Sequence, residues 1–168
     1  MNVLFHTTTA IGVAVLLTNT TQLEKSHSLI NRITTGIAAF TVGAISHGAL
    51  DYIPHCYPIN SKIDVAIGLA MILVVTWLTH KRYRIIVGAS FLGCIFPDIA
   101  DLSPAIINKQ VGLNLPVFSK IFPWHWHAYS GSIYTGDCNV STINHLLLIV
   151  VICAICWYRQ EDVKRMIG

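Results

Sequence analysis

The sequence predicts an all-α, polytopic membrane protein, a single domain over residues 1–168 with about five transmembrane helices, N-terminus out and C-terminus in. Two observations set the class. More than half of the residues are hydrophobic (54%) and only 11% are charged, against about a quarter charged in an ordinary soluble domain. The mean hydropathy is +0.60, and the apolar residues gather into runs near the ~20 residues that a bilayer-crossing helix needs. A third, the placement of the basic residues, sets the orientation and is taken up after the runs.

The first run covers 3–18 and carries His6 and three consecutive threonines. It lacks the basic start and small-residue cleavage site of a signal peptide, so it is expected to stay in the mature protein. The second run, 33–53, stops before Pro54, and the third, 63–79, is the most uniformly apolar. The fourth, 85–97, is expected to end at Pro97, which cannot continue a regular helix hydrogen-bond ladder. The fifth, 142–158, opens after Ser141, a candidate N-cap. The connection 98–141 is rich in Pro, Asn, Gly and aromatic residues. A connection of that length is usually functional or folded on itself.

Lys25, Arg32, Lys81, Arg82, Arg84, Arg159, Lys164 and Arg165 fall on one side of this topology, eight of the 11 basic residues. Lys62, Lys109 and Lys120 fall on the other. Basic residues concentrate in cytoplasmic loops, which places the N-terminus outside and the C-terminus inside. Trp77, Trp157 and Tyr158 then mark the inner interface, and Trp124 and Trp126 the outer one. The net charge of +3 comes without a basic run, so nucleic-acid binding has no support.

The same topology sorts the polar outliers by depth. His6, His47, Asp51, His55, Asp98, Asp101, His125, His127 and His145 all come to the outer end, whereas His27 and His80 lie at the inner one. Ionisable groups at membrane depth are costly and face a bundle interior or a wet cavity. A divalent cation among them offsets the carboxylate charge and takes up imidazole lone pairs. His47 and Asp51, four residues apart, project from one helix face. Structural readings stand beside this one: His47 and Asp51 as a hydrogen-bonded pair, Asp98 and Asp101 as turn caps, and His6, His125 and His127 as interfacial residues. His145 can bond a neighbouring helix, and His55 can face solvent or support a ligand. Of the five cysteines, Cys94, Cys153 and Cys156 sit in apolar runs and read as packing, the Cys-x-x-Cys included. Cys56 and Cys138 share the outer side, where an oxidising compartment permits a disulfide.

The stretch Ser46-His47-Gly48-Ala49-Leu50-Asp51-Tyr52-Ile53-Pro54-His55, the turn Phe96-Pro97-Asp98-Ile99 and the helix start Asn144-His145-Leu146-Leu147 resemble the membrane-bound metal-dependent hydrolases. These include the YdjM-like inner-membrane proteins, similar in pattern to zinc-dependent phospholipase C. In this chain the His-x-x-x-Asp helix precedes the Pro-Asp turn, the reverse of the order in the YdjM-like proteins. The resemblance implies His6, His47, Asp51, Asp98 and His145 as metal ligands, with one or more Zn²⁺. It leaves Asp101, His55, His125 and His127 as further ligands, orienting partners or a general acid.

The expected function is metal-dependent hydrolysis of a phosphoester, a phospholipid or lipid-linked phosphate at the outer face of a bacterial-type inner membrane. No nucleophile elbow, phosphate-binding loop or dinucleotide glycine pattern offers a rival apparatus. A non-catalytic metal-binding protein, a transporter or a metal-stabilised scaffold, is the alternative. The inner halves of the helices carry no Asp or Glu, which argues against a path through the bilayer. A helical interaction protein with His as pH sensors is a third reading. The expected partners are membrane lipids and the lipid or phosphoester substrate.

Overall fold

The computed structural model describes residues 1–26, 28–57, 59–134 and 138–168, so His27 lies outside the described residues. Among the described residues the fold comprises eight α-helices and no strand. They are α1 (Val3–Leu17), α2 (Thr20–Ser26), α3 (Leu29–Tyr52), α4 (Ser61–Leu78), α5 (Arg84–Asp101), α6 (Ser103–Val111), α7 (Cys138–Tyr158) and α8 (Gln160–Ile167). Two short 3-10 turns, Pro123–His125 and Gly131–Tyr134, interrupt the long connection before α7.

Three helices, α3, α4 and α7, are individually long and apolar enough to cross a membrane. Two bent pairs, α1 with α2 (58°) and α5 with α6 (64°), bring the number to five if each pair is one span. The outer surface of the bundle is apolar and much of its interior is polar. Ile37, Leu73, Val74, Leu147 and Val150 are exposed, whereas His6, Thr7, His47 and Ser90 are completely buried. Exposed apolar side chains in this number suggest membrane association.

The helix α1 sits in the middle, touching α3, α4, α5 and α7. Its central position surrounds it with neighbouring helices, and its polar residues His6, Thr7 and Thr9 are buried among them. Its threonines bond within the helix: Thr7 and Thr8 hydroxyls donate to the Leu4 carbonyl and Thr9 to Phe5, at 2.8 to 2.9 Å. Ser90 of α5 donates to the Ala10 carbonyl at 2.8 Å and ties the two helices together. The first backbone donors of α1 are capped by another helix. Asp64 of α4, a buried acid, accepts from Val3 N–H (2.8 Å) and Leu4 N–H (3.0 Å), satisfying two of the donors that a helix start leaves open.

The α3–α5 pair is the most extensively packed in the bundle. A Cβ on Gly93 would lie 2.1 Å from the Phe40 carbonyl oxygen, so only glycine permits this approach of the two backbones. Several boundaries differ from the sequence expectation: α3 begins at Leu29 and not at 33, and α6 (Ser103–Val111) lies within the connection expected over 98–141. The helix α5 continues through Pro97 to Asp101; membrane-type helices tolerate an internal proline when neighbours support them. Ser141 is not the N-cap of α7, which starts at Cys138; its hydroxyl instead accepts from Cys56 N–H at 2.9 Å. Cys56 and Cys138 form a disulfide, with a Cα–Cα distance of 5.6 Å. Cys156 packs against the core, and Cys153 lies on the exposed face of α7.

Candidate metal centre

The helices run alternately, so the start of α1, the ends of α3 and α5 and the start of α7 meet at one end of the bundle. His47 and Asp51 come from consecutive turns of α3, both on its buried side. The uninterrupted course of α5 carries Asp98 and Asp101 one turn apart, so that both are within reach of His125. His125 arrives from the loop, in the turn Pro123–His125. Gly48 makes its docking possible, since a Cβ there would lie 2.6 Å from the Trp124 ring.

His47, Asp51, Asp98 and His125 each offer one ligand atom, and these atoms lie within 4.8 Å of one another. His47 Nε2 is 3.1 Å from Asp51 Oδ2 and 3.6 Å from Asp98 Oδ1. His125 Nε2 is 3.3 Å from both of those carboxylate oxygens and 3.3 Å from His47 Nε2. Each imidazole is held from behind. His47 Nδ1–H donates to the Cys94 carbonyl at 2.6 Å, and His125 Nδ1–H to Asp101 Oδ2 at 2.8 Å. With the Nδ1 positions bonded in this way, both Nε2 atoms are turned towards the carboxylates. Anchoring the far nitrogen fixes tautomer and ring direction, a recurrent feature of metal-binding histidines. Four electron-rich atoms converging in a buried space make a group that could hold a metal ion.

Asp101 organises the loop. Besides His125 it accepts the backbone N–H groups of Ile121 and Phe122, each at 2.9 Å, and Lys120 Nζ donates to the His125 carbonyl at 2.7 Å. Phe122 and Trp124 stack at 5.1 Å between ring centroids and wall the group beside His47. Burial opposes charge on His125, but Asp51, Asp98 and Asp101 outweigh it and push its pKa up to about 9. A metal ion bound there would take the place of that proton.

The other residues singled out by the sequence are placed as follows. His6 is fully buried, bonds Asp51 Oδ1 through Nε2 at 3.1 Å and stacks on His47 at 3.9 Å. It therefore adjoins the group but is not one of its four members. The Met1 amino group also contacts Asp51 Oδ1. His145 is buried and stacked on Phe5 at 3.8 Å, with Nε2 unpartnered, and stands outside the group. His55 is buried, its Nδ1–H donating to the Ile53 carbonyl at 2.8 Å and its Nε2 lying 3.3 Å from the Tyr57 hydroxyl. Burial holds its pKa below the usual histidine value. His127 is exposed and stands outside the group. The sequence reading left His125 between several roles; the pull of Asp101 on the loop, which selects it over His127, has no signature in spacing. The Cys94 carbonyl behind His47 is a backbone group and carries no sequence signal at all. Asp64 had one, as the lone acid in the third apolar run.

Fold and site together define an all-helical protein with helices apolar enough for a membrane and a His/Asp group that could hold a metal. No family model, no curated protein and no solved structure matches the chain. The likeness to the membrane-bound metal-dependent hydrolases rests on the short motifs alone.

Proposed function

We propose that this chain is a membrane-embedded, metal-dependent hydrolase of phosphoesters, with a phospholipid or lipid-linked phosphate as substrate. The observation that carries the reading is the pair of imidazoles anchored at Nδ1, with their Nε2 atoms converging on the Asp51 and Asp98 oxygens. Two nitrogens and two carboxylate oxygens suit Zn²⁺, with other divalent ions of similar preference as competitors. Structural zinc sites are typically closed and rich in cysteine; here the donors are His and Asp, and the Asp98 side chain retains 22% exposure. That edge is where substrate and water would enter. A divalent cation there would lower the pKa of a bound water and offset charge on the phosphoryl oxygens. His47, Asp51, Asp98 and His125 would hold it, and Asp101 would position His125. His6, on the far oxygen of Asp51, would keep that carboxylate turned towards the group.

The proposed site faces the extracytoplasmic side of a bacterial-type inner membrane. Eight of 11 basic residues lie at the opposite end of the bundle. The Cys56–Cys138 disulfide lies at the site end, and such bonds persist in oxidising compartments.

The test is to purify the protein in detergent, count bound metal and assay a panel of phospholipids and other phosphoesters with and without chelator. The parent is expected to hold metal in simple stoichiometry and to lose activity with chelator. His47→Ala and Asp51→Ala are expected to lose both metal and activity. A parent that binds no divalent metal overturns the reading entirely. Metal without activity across the panel leaves a non-catalytic metal-binding protein.

A further inference from the structure

The opposite end of the bundle holds a second polar feature that the proposed hydrolysis does not use. A cavity of about 320 Å³ is lined by Leu23 of α2, Arg32 in the first turn of α3, and His80, Lys81 and Arg82 of the α4–α5 turn. Four of the five lining residues carry nitrogen-rich side chains, and none is acidic. Arg32, Lys81 and Arg82 form no ion pair among the described residues. The acid closest in sequence to Leu23, Glu24, is engaged elsewhere, accepting from the Tyr83 hydroxyl at 2.9 Å and lying 3.6 Å from Arg165.

The walls are held in place. His80 N–H donates to the Met166 carbonyl at 2.7 Å, which fixes the turn against α8. Arg82 N–H donates to His80 Nδ1 at 3.3 Å, which leaves Nε2 as the remaining polar atom of the ring. The Tyr83–Glu24 bond joins the turn to α2. Trp77 and Trp157, 73% and 76% exposed, are at this same end, and exposed tryptophans near helix ends are characteristic of a headgroup interface. Apolar surface adjoins the cavity. Ile33 and Ile37 of α3 and Ile85 of α5 are exposed, and Gly36 packs against Ile85, so the three isoleucines flank one helix seam just below Arg32.

We infer that this cavity binds the phosphate group of an anionic lipid, with the acyl chains lying over the seam between α3 and α5. A phosphate is the anion that arginine forks recognise, and basic pockets at the ends of membrane helices take lipid headgroups. The adjoining isoleucines favour lipid phosphate over free phosphate, which has no use for apolar surface. The site lies at the end opposite His47 and Asp51 and is independent of any metal there.

The test uses the full chain in phosphatidylcholine nanodiscs with a minor share of phosphatidylglycerol, and native mass spectrometry to read retained lipid. Phosphatidylglycerol is expected to be retained over phosphatidylcholine, and Arg32→Gln and Arg82→Gln to lower retention by roughly fivefold each. Arg32→Lys and Arg82→Lys should keep most of it, and Lys62→Gln, at the other end, should change nothing. Photoactivatable phosphatidylglycerol in the unsubstituted protein should cross-link within 29–37 or 79–85. Equal retention in the charge-removed variants, or cross-links only elsewhere, overturns the assignment. Displacement of the lipid by inorganic phosphate alone would overturn the lipid and assign the pocket to the free anion. Chelator should not alter retention; if it does, the two ends are not independent and the inference fails.

Discussion

The individual residue that best separates a metal centre from a buried polar network is Asp101. It touches His125 through Nδ1 and the loop through two backbone N–H groups, but it contributes no atom to the converging four. Orienting partners of this kind affect metal affinity by about 10- to 100-fold when replaced. Asp101→Asn keeps the size of the side chain and one acceptor oxygen. It is expected to weaken metal binding by about that factor while leaving the stoichiometry unchanged. Asp98→Asn, by contrast, removes a charged donor and should abolish stoichiometric binding. Titration with a competing metal indicator reads both. Equal effects from the two would show that the four-atom group is not the metal site. His145→Ala, outside the group, is expected to leave binding within about twofold of the parent. A loss there as large as for Asp98→Asn would extend the ligand set to the one suggested by motif resemblance.

Elements show where sequence patterns sufficed and where they failed. The apolar runs of α3, α4 and α7 were readable because each is long and apolar enough to cross a membrane, a pattern that composition alone displays. The helix α1 was readable only as a short, polar-tinged run, since its neighbours shield it. The helix α5 runs past Pro97 to Asp101, because a proline's lost bond is tolerated where a neighbouring helix packs closely, and that packing is invisible locally. Two substitutions test the packing argument on one helix. Gly93→Ala places a methyl against the Phe40 backbone and is expected to destabilise by about 1–3 kcal/mol. Gly88→Ala, with nothing within 4 Å of its Cβ, should be neutral or stabilising by up to about 1 kcal/mol. Thermal unfolding in detergent measures both, and the reverse order would refute the close crossing. The clasp of α2 on α8 adds a pH dependence. Burial opposes charge on Asp162, but Thr20 and Arg159 hold its pKa below the usual carboxylate value. Its contribution is therefore present above the ordinary carboxylate range and is lost as pH falls through the lowered folded-state pKa. Asp162→Asn should flatten the acid limb of the stability profile; an unchanged limb would remove Asp162 from its cause.

The molecule as a whole is polarised, with imidazoles, carboxylates and a disulfide at one end and eight basic residues at the other. Composition and charge placement made this polarity readable, because both ends obey rules that act on single residues. The choice of partners within the site was not readable, because it depends on how a loop folds back from Ile121 to His125 onto Asp101. The two ends also give independent bearings on orientation. Basic residues resist translocation, and a cysteine pair 82 residues apart stays oxidised only away from cytosolic reductants. Both bearings support the proposal that the His/Asp end faces outside. In spheroplasts of a bacterial host, alkylation before any reductant is expected to leave Cys56 and Cys138 unmodified. A membrane-impermeant phosphine should then free both without lysis. If the two thiols are already free in intact cells, or open only after lysis, the His/Asp end faces the cytosol. A substrate confined to the outer leaflet would then be ruled out. The same bond closes the connection from α3 to α7, and its loss through Cys56→Ser should cost about 2–5 kcal/mol. Metal affinity is expected to survive that loss at temperatures where the chain stays folded, since none of the four ligand atoms is held by the disulfide.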